Sequence, residues 1–295
     1  MSDTFFTQGP LWGWLVIAYF FFGGIAGGAY FIAALIDLFG DDADRPLARL
    51  GYYVALPAVV LCGPLLIADL RRPERFWHML VMNERGLPIF KLWSPMSVGS
   101  WVLTLFGLFA LLSFLGSLSA EGVFGGLAFL RADPLRKVIA VVGGALGFFL
   151  ASYTGVLLSV TNRPIWADTS FLGLLFLASG ASTAAALLLL LGHNRRTVLP
   201  DSVHRLARMD NWAMLLELVA LVLVVVSLGA VSRAWLNVWG LALLGGVVLV
   251  GILLPLLLHW RPAALGRAAI PAASVLALVG GLVLRAVVVL SSESM

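Results

Sequence analysis

Long apolar runs broken by short polar segments recur along the whole chain. A bilayer core of about 30 Å is crossed by roughly 20 mostly apolar helical residues, and at that length the pattern predicts eight spans. They fall at about Leu11–Phe39, Leu47–Asp69, Pro95–Leu118, Val138–Thr161, Phe171–Leu191, Trp212–Val231, Leu236–His259 and Ala269–Leu290. Stretches such as Ala184–Leu191 and Ile252–Leu258 are continuously apolar. Strands of a membrane barrel alternate with period two, so helices are expected and a closed barrel is not. No basic segment precedes the first run and no small-residue cleavage site follows it, so it is expected to stay in the mature chain and not to be removed as a signal peptide.

Composition agrees with this pattern. Of 295 residues, 61% are hydrophobic and 12% charged, against about 25% charged in soluble domains. A cytosolic enzyme, a nucleic-acid-binding module and a disordered chain are thereby excluded. The net charge of +4 is spread between apolar runs and forms no stripe that could follow a phosphate backbone, so no nucleic acid is expected as a partner; membrane lipids are. The single cysteine, Cys62, cannot hold an iron–sulfur cluster or a multi-cysteine zinc site. No metal is expected in this chain.

With an even number of spans both termini share a side, and Lys and Arg are scarcer in that side's loops than in the others. The positive-inside rule therefore places the termini outside, in the periplasm of a two-membrane bacterium, with the chain in the cytoplasmic (inner) membrane. One outer segment, residues 70–94, runs against the bias by carrying Arg71, Arg72, Arg75, Arg85 and Lys91. Phe76, Trp77, Leu80 and Val81 have the spacing of a short helix lying in the membrane interface. The segment reads either as a headgroup-anchored connector or as a cationic docking surface for a partner.

Ionisable side chains within spans cost on the order of 2.5–3.5 kcal/mol and tend to face a bundle interior or a wet cavity. Here they are Asp37, Asp69, Glu217 and Arg285, with Tyr153 inside a span and His193 and His259 at span ends. Haem b needs two imidazoles facing each other within the bilayer; His193 and His259 end spans on one surface, so haem is not expected. The outer ends of the first four spans gather Trp12, Trp14, Asp69, the Trp93-Ser94-Pro95 entry to span three, and Tyr153. Tyr153 lies about 12 Å below Thr161, deep enough to meet the head of an amphipathic ligand. A quinone needs donors at its carbonyls and a protonatable partner, and Tyr153 with Asp69 or His78 could supply them, flanked by Trp77 and Ser94. The plain alternatives are that Tyr153 bonds a neighbouring helix backbone and that Asp69 pairs with Arg71 or Arg72. Glycines at 23, 24, 27 and 28, and at 143, 144 and 147, mark close helix contact and no chemistry. Glu217, with Asp210 two turns earlier on the same face and Asp37 near the inner end of span one, could begin an inner proton path. Capping or snorkelling is an equal reading of the two aspartates. Arg285 either snorkels outward or pairs with an acidic residue of another helix.

Four stretches taken in order resemble the NrfD/polysulfide-reductase (PsrC-like) integral membrane subunits. They are Gly23-Gly-Ile-Ala-Gly-Gly-Ala-Tyr30, Asp69-Leu-Arg-Arg-Pro-Glu-Arg-Phe-Trp-His-Met-Leu80, Phe90-Lys-Leu-Trp-Ser-Pro-Met-Ser-Val-Gly-Ser-Trp101 and Tyr153-Thr-Gly-Val-Leu-Leu158. The resemblance covers roughly the first 165 residues and implies an all-α, haem-free subunit of eight transmembrane helices in two four-helix bundles, 1–165 and 166–295. Such a subunit passes electrons between the quinone pool (menaquinone or ubiquinone) and an outer ferredoxin-like iron–sulfur subunit, which serves a catalytic subunit; a molybdopterin enzyme is one class for the latter. The resemblance makes Tyr153 a quinone ligand and Asp69 the acidic position of its motif. Relatives can offer an Asn or His from span one, whereas this chain has neither there, leaving Tyr19 or a loop residue to substitute. Two rival classes are a secondary transporter, which calls for matching broken helices in both halves although Pro57 and Pro64 have no counterpart in span six, and a passive anchor, in which Tyr153 and Asp69 stay idle.

Overall fold

The computed structural model describes residues 12–70, 72–82, 86–123, 125–261 and 266–293. Among these, eight helices are long and apolar enough to cross a membrane. They are α1 (Trp14–Phe39), α2 (Arg45–Asp69), α3 (Pro95–Ala120), α4 (Asp133–Ser159), α5 (Leu172–Gly192), α6 (Pro200–Leu228), α7 (Val238–Trp260) and α8 (Ala269–Glu293). Each overlaps one predicted span, and the largest shift is at α6. Its Pro200–Asn211 stretch is too polar to register as apolar but continues the same helix, with Pro200 at the first turn, where a missing N–H costs nothing. α7 is α-helical only at its ends; Ala242–Leu253 is wound as a π-helix.

α1 and α5 occupy the middle. α1 packs along α2, α4 and α5 and reaches α8, while α5 also packs against α4, α6 and α8. α3 fits between α2 and α4, and α7 lies along α8. Glycine makes the central crossings possible. A Cβ on Gly27 would collide with the Gly147 carbonyl of α4, and one on Gly28 would come within 2.6 Å of the Gly180 carbonyl of α5. Adjacent residues of one glycine-rich stretch, about 100° apart around the helix, thus serve two different neighbours at backbone distance.

The segment between α4 and α5 ties the halves of the chain together. Trp166 is fully buried, stacks on Trp12 before α1 with ring centroids 5.4 Å apart, and donates its indole N–H to the Val288 carbonyl of α8 at 2.7 Å. Its neighbour Ile165 has φ of 68°, a conformation unfavourable for a β-branched residue by about 1–3 kcal/mol. The Asp168 carboxylate accepts the Ile165 N–H at 3.0 Å and holds the bend.

Candidate functional site

The start of α1, the end of α2, the start of α3 and the end of α4 enclose a cavity of about 280 Å³. Tyr19, Asp69 and Tyr153 all line it, with Trp12, Leu66 and Leu103 among its apolar walls. Helical pitch explains the convergence. Asp69 is the last residue of α2, whereas Tyr153 stands six residues, about 9 Å, before the end of α4, so a carboxylate at the rim lies above a phenol in the interior.

The Tyr153 hydroxyl donates to the Pro95 carbonyl at the first residue of α3. That carbonyl is reachable because the facing residue is Gly99, where a Cβ would collide with the Tyr153 ring. The Ser100 hydroxyl donates to the Met96 carbonyl at 2.9 Å and the Thr104 hydroxyl to the Ser100 carbonyl at 2.8 Å. Three hydroxyl protons of the lining are therefore spent on backbone, and their oxygens face the cavity as acceptors. Asp69 is half-buried, with no ion pair or hydrogen bond to any other described residue.

The 70–94 segment covers this cavity. Pro73–Met79 forms a short 3₁₀-helix, and Phe76, Met79 and Leu80 close over the lining. The Ser100 hydroxyl oxygen lies 3.6 Å from the Met79 sulfur, and the Trp101 indole donates to the Ile89 carbonyl at 2.8 Å, so two points of the segment are held against α3. Arg72, Arg75 and Lys91 are exposed, as are Phe76, Trp77, Leu92 and Trp93. Arg71 and Arg85 lie outside the described residues. Three further expected ligands stand off the cavity. Trp77 packs on the His78 ring at 3.8 Å between centroids, and Ser94 caps α3 by accepting the Ser97 N–H at 3.4 Å. The cavity lining missed from sequence, notably Gly99, Met79 and Ser100, sits in the motifs already singled out; the signal was a glycine one turn after the α3 cap.

The intramembrane charges separate into two places. Asp37 pairs with Arg136 of α4 at the opposite end of the first four helices, away from Glu217. Arg285 does not snorkel: it is fully buried. Its guanidinium donates to the Phe20 carbonyl of α1 at 3.0 Å, to Ser179 of α5 at 3.1 Å and to the Gly281 carbonyl at 2.7 Å. The faces of Phe21 and Phe176 lie 5.7 and 5.6 Å from its carbon. Glu217 of α6 is buried as well. One turn further along α5, Ser182 donates to buried Asp210 at 2.8 Å.

Eight apolar helices define a multi-pass membrane protein, and four of them surround an amphipathic cavity over which part of the 70–94 segment closes. The chain belongs to the family described as "Polysulphide reductase, NrfD", whose pattern matches residues 3–294. It is 32% identical to the C component of the polysulfide reductase of Wolinella succinogenes, over 84% of this chain and 83% of that protein. It is 28% identical to the protein NrfD of Escherichia coli over 96% of this chain and 95% of that protein. A shorter likeness, 25% over 38% of this chain and 24% of the relative, links it to the C component of the selenate reductase of Mesobacillus selenatarsenatis.

Proposed function

We propose that this chain is the quinol-reactive membrane subunit of a multi-subunit oxidoreductase in a bacterial inner membrane. The observation that carries the reading is the cavity bringing Tyr19, Tyr153 and Asp69 together beneath the basic segment. Its volume is close to the roughly 300 Å³ at which ligand pockets begin, which suits the head of an amphipathic ligand whose tail lies in lipid. A quinol supplies two electrons and two protons on oxidation, and its hydroxyls need acceptors. The Tyr153 oxygen and the Asp69 carboxylate are acceptors as they stand, Asp69 can take a proton and pass it outward from the rim, and Tyr19 contributes a further phenol. Menaquinol and ubiquinol would both meet these requirements.

The electrons need a neighbour, since the chain has one cysteine. Names of relatives as reductase subunits support a docked iron–sulfur subunit and a catalytic subunit, for which molybdopterin enzymes are one class. Exposed arginines and aromatics on the 70–94 segment have the composition of an interface. Reversing charge there with Arg72→Glu and Arg75→Glu is expected to cut co-purification of the partner about tenfold or more, measured by pull-down of tagged protein; unchanged recovery would remove the segment from the interface.

The packing of α1–α4 around one another and of α5, α6, α7 and α8 likewise supports two four-helix bundles, with termini and the 70–94 segment in the periplasm on the charge bias. Glu217, Ser179 and Arg285, with Ser182 one turn along α5 and Asp210 two turns along α6, are polar groups from which a proton path could be built; Asp37, neutralised by Arg136, is left out of it. One observation favours a passive anchor instead: the Tyr153 hydroxyl is already satisfied by Pro95. Gly63 separates the readings. It lines the cavity, and a Cβ there meets nothing within 4 Å, so Gly63→Leu is expected to put apolar bulk into the space and leave the fold intact. Quinol-linked turnover is expected to fall about tenfold or more, the worth of misfitting methylenes in an apolar pocket, with assembly intact; full turnover would support the passive anchor.

A further inference from the structure

A second cavity, of about 400 Å³, opens at the other end of the first four helices, where α1 and α3 finish and α2 and α4 begin. Four arginines line it, Arg45, Arg49, Arg131 and Arg136, against one carboxylate, Asp37. Two of the cations are accounted for. Arg136 is held by Asp37 and by Asp133, the latter at 2.8 Å, and Arg45 by Asp42 at 2.7 Å. Arg49 and Arg131 have no carboxylate within 4.0 Å among the described residues. Two wall hydroxyls are already engaged, Ser117 donating to the Ser113 carbonyl at 2.8 Å and Tyr52 to Asp37 at 3.4 Å, which leaves the arginines as donors for a ligand. Two uncompensated guanidinium forks facing one space call for a compact, acceptor-rich anion, and their geometry matches the oxygens of a phosphate.

Position decides the source of that phosphate. The cavity follows α3 from Leu112 to Ala120, about 12 Å along the helix, and ends where the helices leave the apolar layer. On the neighbouring turns Leu108 and Leu111 of α3 and Val138 and Val141 of α4 are exposed, a surface fit for acyl chains and of no use to a free ion. We infer that this cavity binds the phosphodiester headgroup of an anionic phospholipid between Arg49 and Arg131, with its acyl tails on the outer faces of α3 and α4.

Native mass spectrometry of the full-length protein with its accompanying subunits, titrated with phosphatidylglycerol or phosphatidylcholine, tests this. One phosphatidylglycerol is expected to bind about tenfold or more tightly than phosphatidylcholine, and the double variant Arg49→Gln/Arg131→Gln is expected to lose about thirtyfold in its affinity. Arg233→Gln, which removes one positive charge in the α6–α7 connection as each single variant does in the cavity, should bind as the wild type does. Equal binding of the two lipids, wild-type binding by the double variant, or displacement of the lipid by millimolar inorganic phosphate would each overturn the proposal. If the double variant fails to assemble, Arg49→Gln and Arg131→Gln are measured singly. Each is expected to weaken binding about fivefold, and wild-type affinity in both would overturn the proposal equally.

Discussion

Tyr153→Phe is expected to lower quinol-linked electron transfer about a hundredfold while the protein still assembles with its partners. The phenol is a buried polar group of the cavity, and with its proton spent on the Pro95 carbonyl its oxygen is left as an acceptor. Phenylalanine keeps the ring, which stacks on Phe149 with centroids 5.7 Å apart, so packing changes little. What disappears is the acceptor that orients a quinol hydroxyl. A misplaced reacting group and a lost proton-handling contact together are worth on the order of 10²-fold or more. The Pro95 carbonyl loses its donor as well, at about 1–3 kcal/mol of stability if water does not replace it. The check is the rate of quinol oxidation by the purified complex, normalised to subunit content; normal turnover in this variant would remove Tyr153 from the chemistry.

The largest effect on stability is expected at Arg285. Arg285→Met keeps the length and apolar stem but deletes the guanidinium that joins the Phe20 carbonyl of α1, Ser179 of α5 and the Gly281 carbonyl of α8. The Phe20 and Gly281 carbonyls and the Ser179 hydroxyl would then lose a buried donor, at about 1–3 kcal/mol for each group left unsatisfied. The contact spans 265 residues of sequence, so its failure would loosen the first helix from the last. Abundance in the membrane and the lifetime of the complex in detergent should both fall sharply, with Arg285→Lys intermediate because ammonium cannot form the same fork. Gly24 bears on this too, since a Cβ there would come within 2.6 Å of the guanidinium. Wild-type abundance of Arg285→Met would contradict a joining role.

Much of this was legible from sequence because bilayers impose simple rules. The spans followed from runs of apolar residues, and asking which span ends share a side is enough to bring Tyr153 and Asp69 together, whereas Tyr19 came only from the family resemblance. What escaped depends on side-chain direction. His78, Trp77 and Ser94 are close to the cavity along the chain, yet the 3₁₀ winding of Pro73–Met79 and the capping of α3 turn them elsewhere. Arg285 allowed two readings, because hydropathy gives the cost of a buried cation but not the carbonyls and hydroxyls that offset it. Asp37 suits Glu217 as a partner by depth alone; its ion pair with Arg136, 99 residues away, is invisible to local pattern.

The central claim is that quinol reacts in the cavity between the ends of α1–α4. A photoreactive azido-quinone, crosslinked to the complex in its native membrane and mapped by peptide mass spectrometry, tests it most directly. Labelling is expected on peptides carrying the lining residues of the 63–80, 96–104 and 153–157 stretches, and it should be suppressed by excess quinol and in Gly63→Leu. Labelling confined to residues beyond 166, or labelling of Gly63→Leu at the wild-type level, would contradict the account.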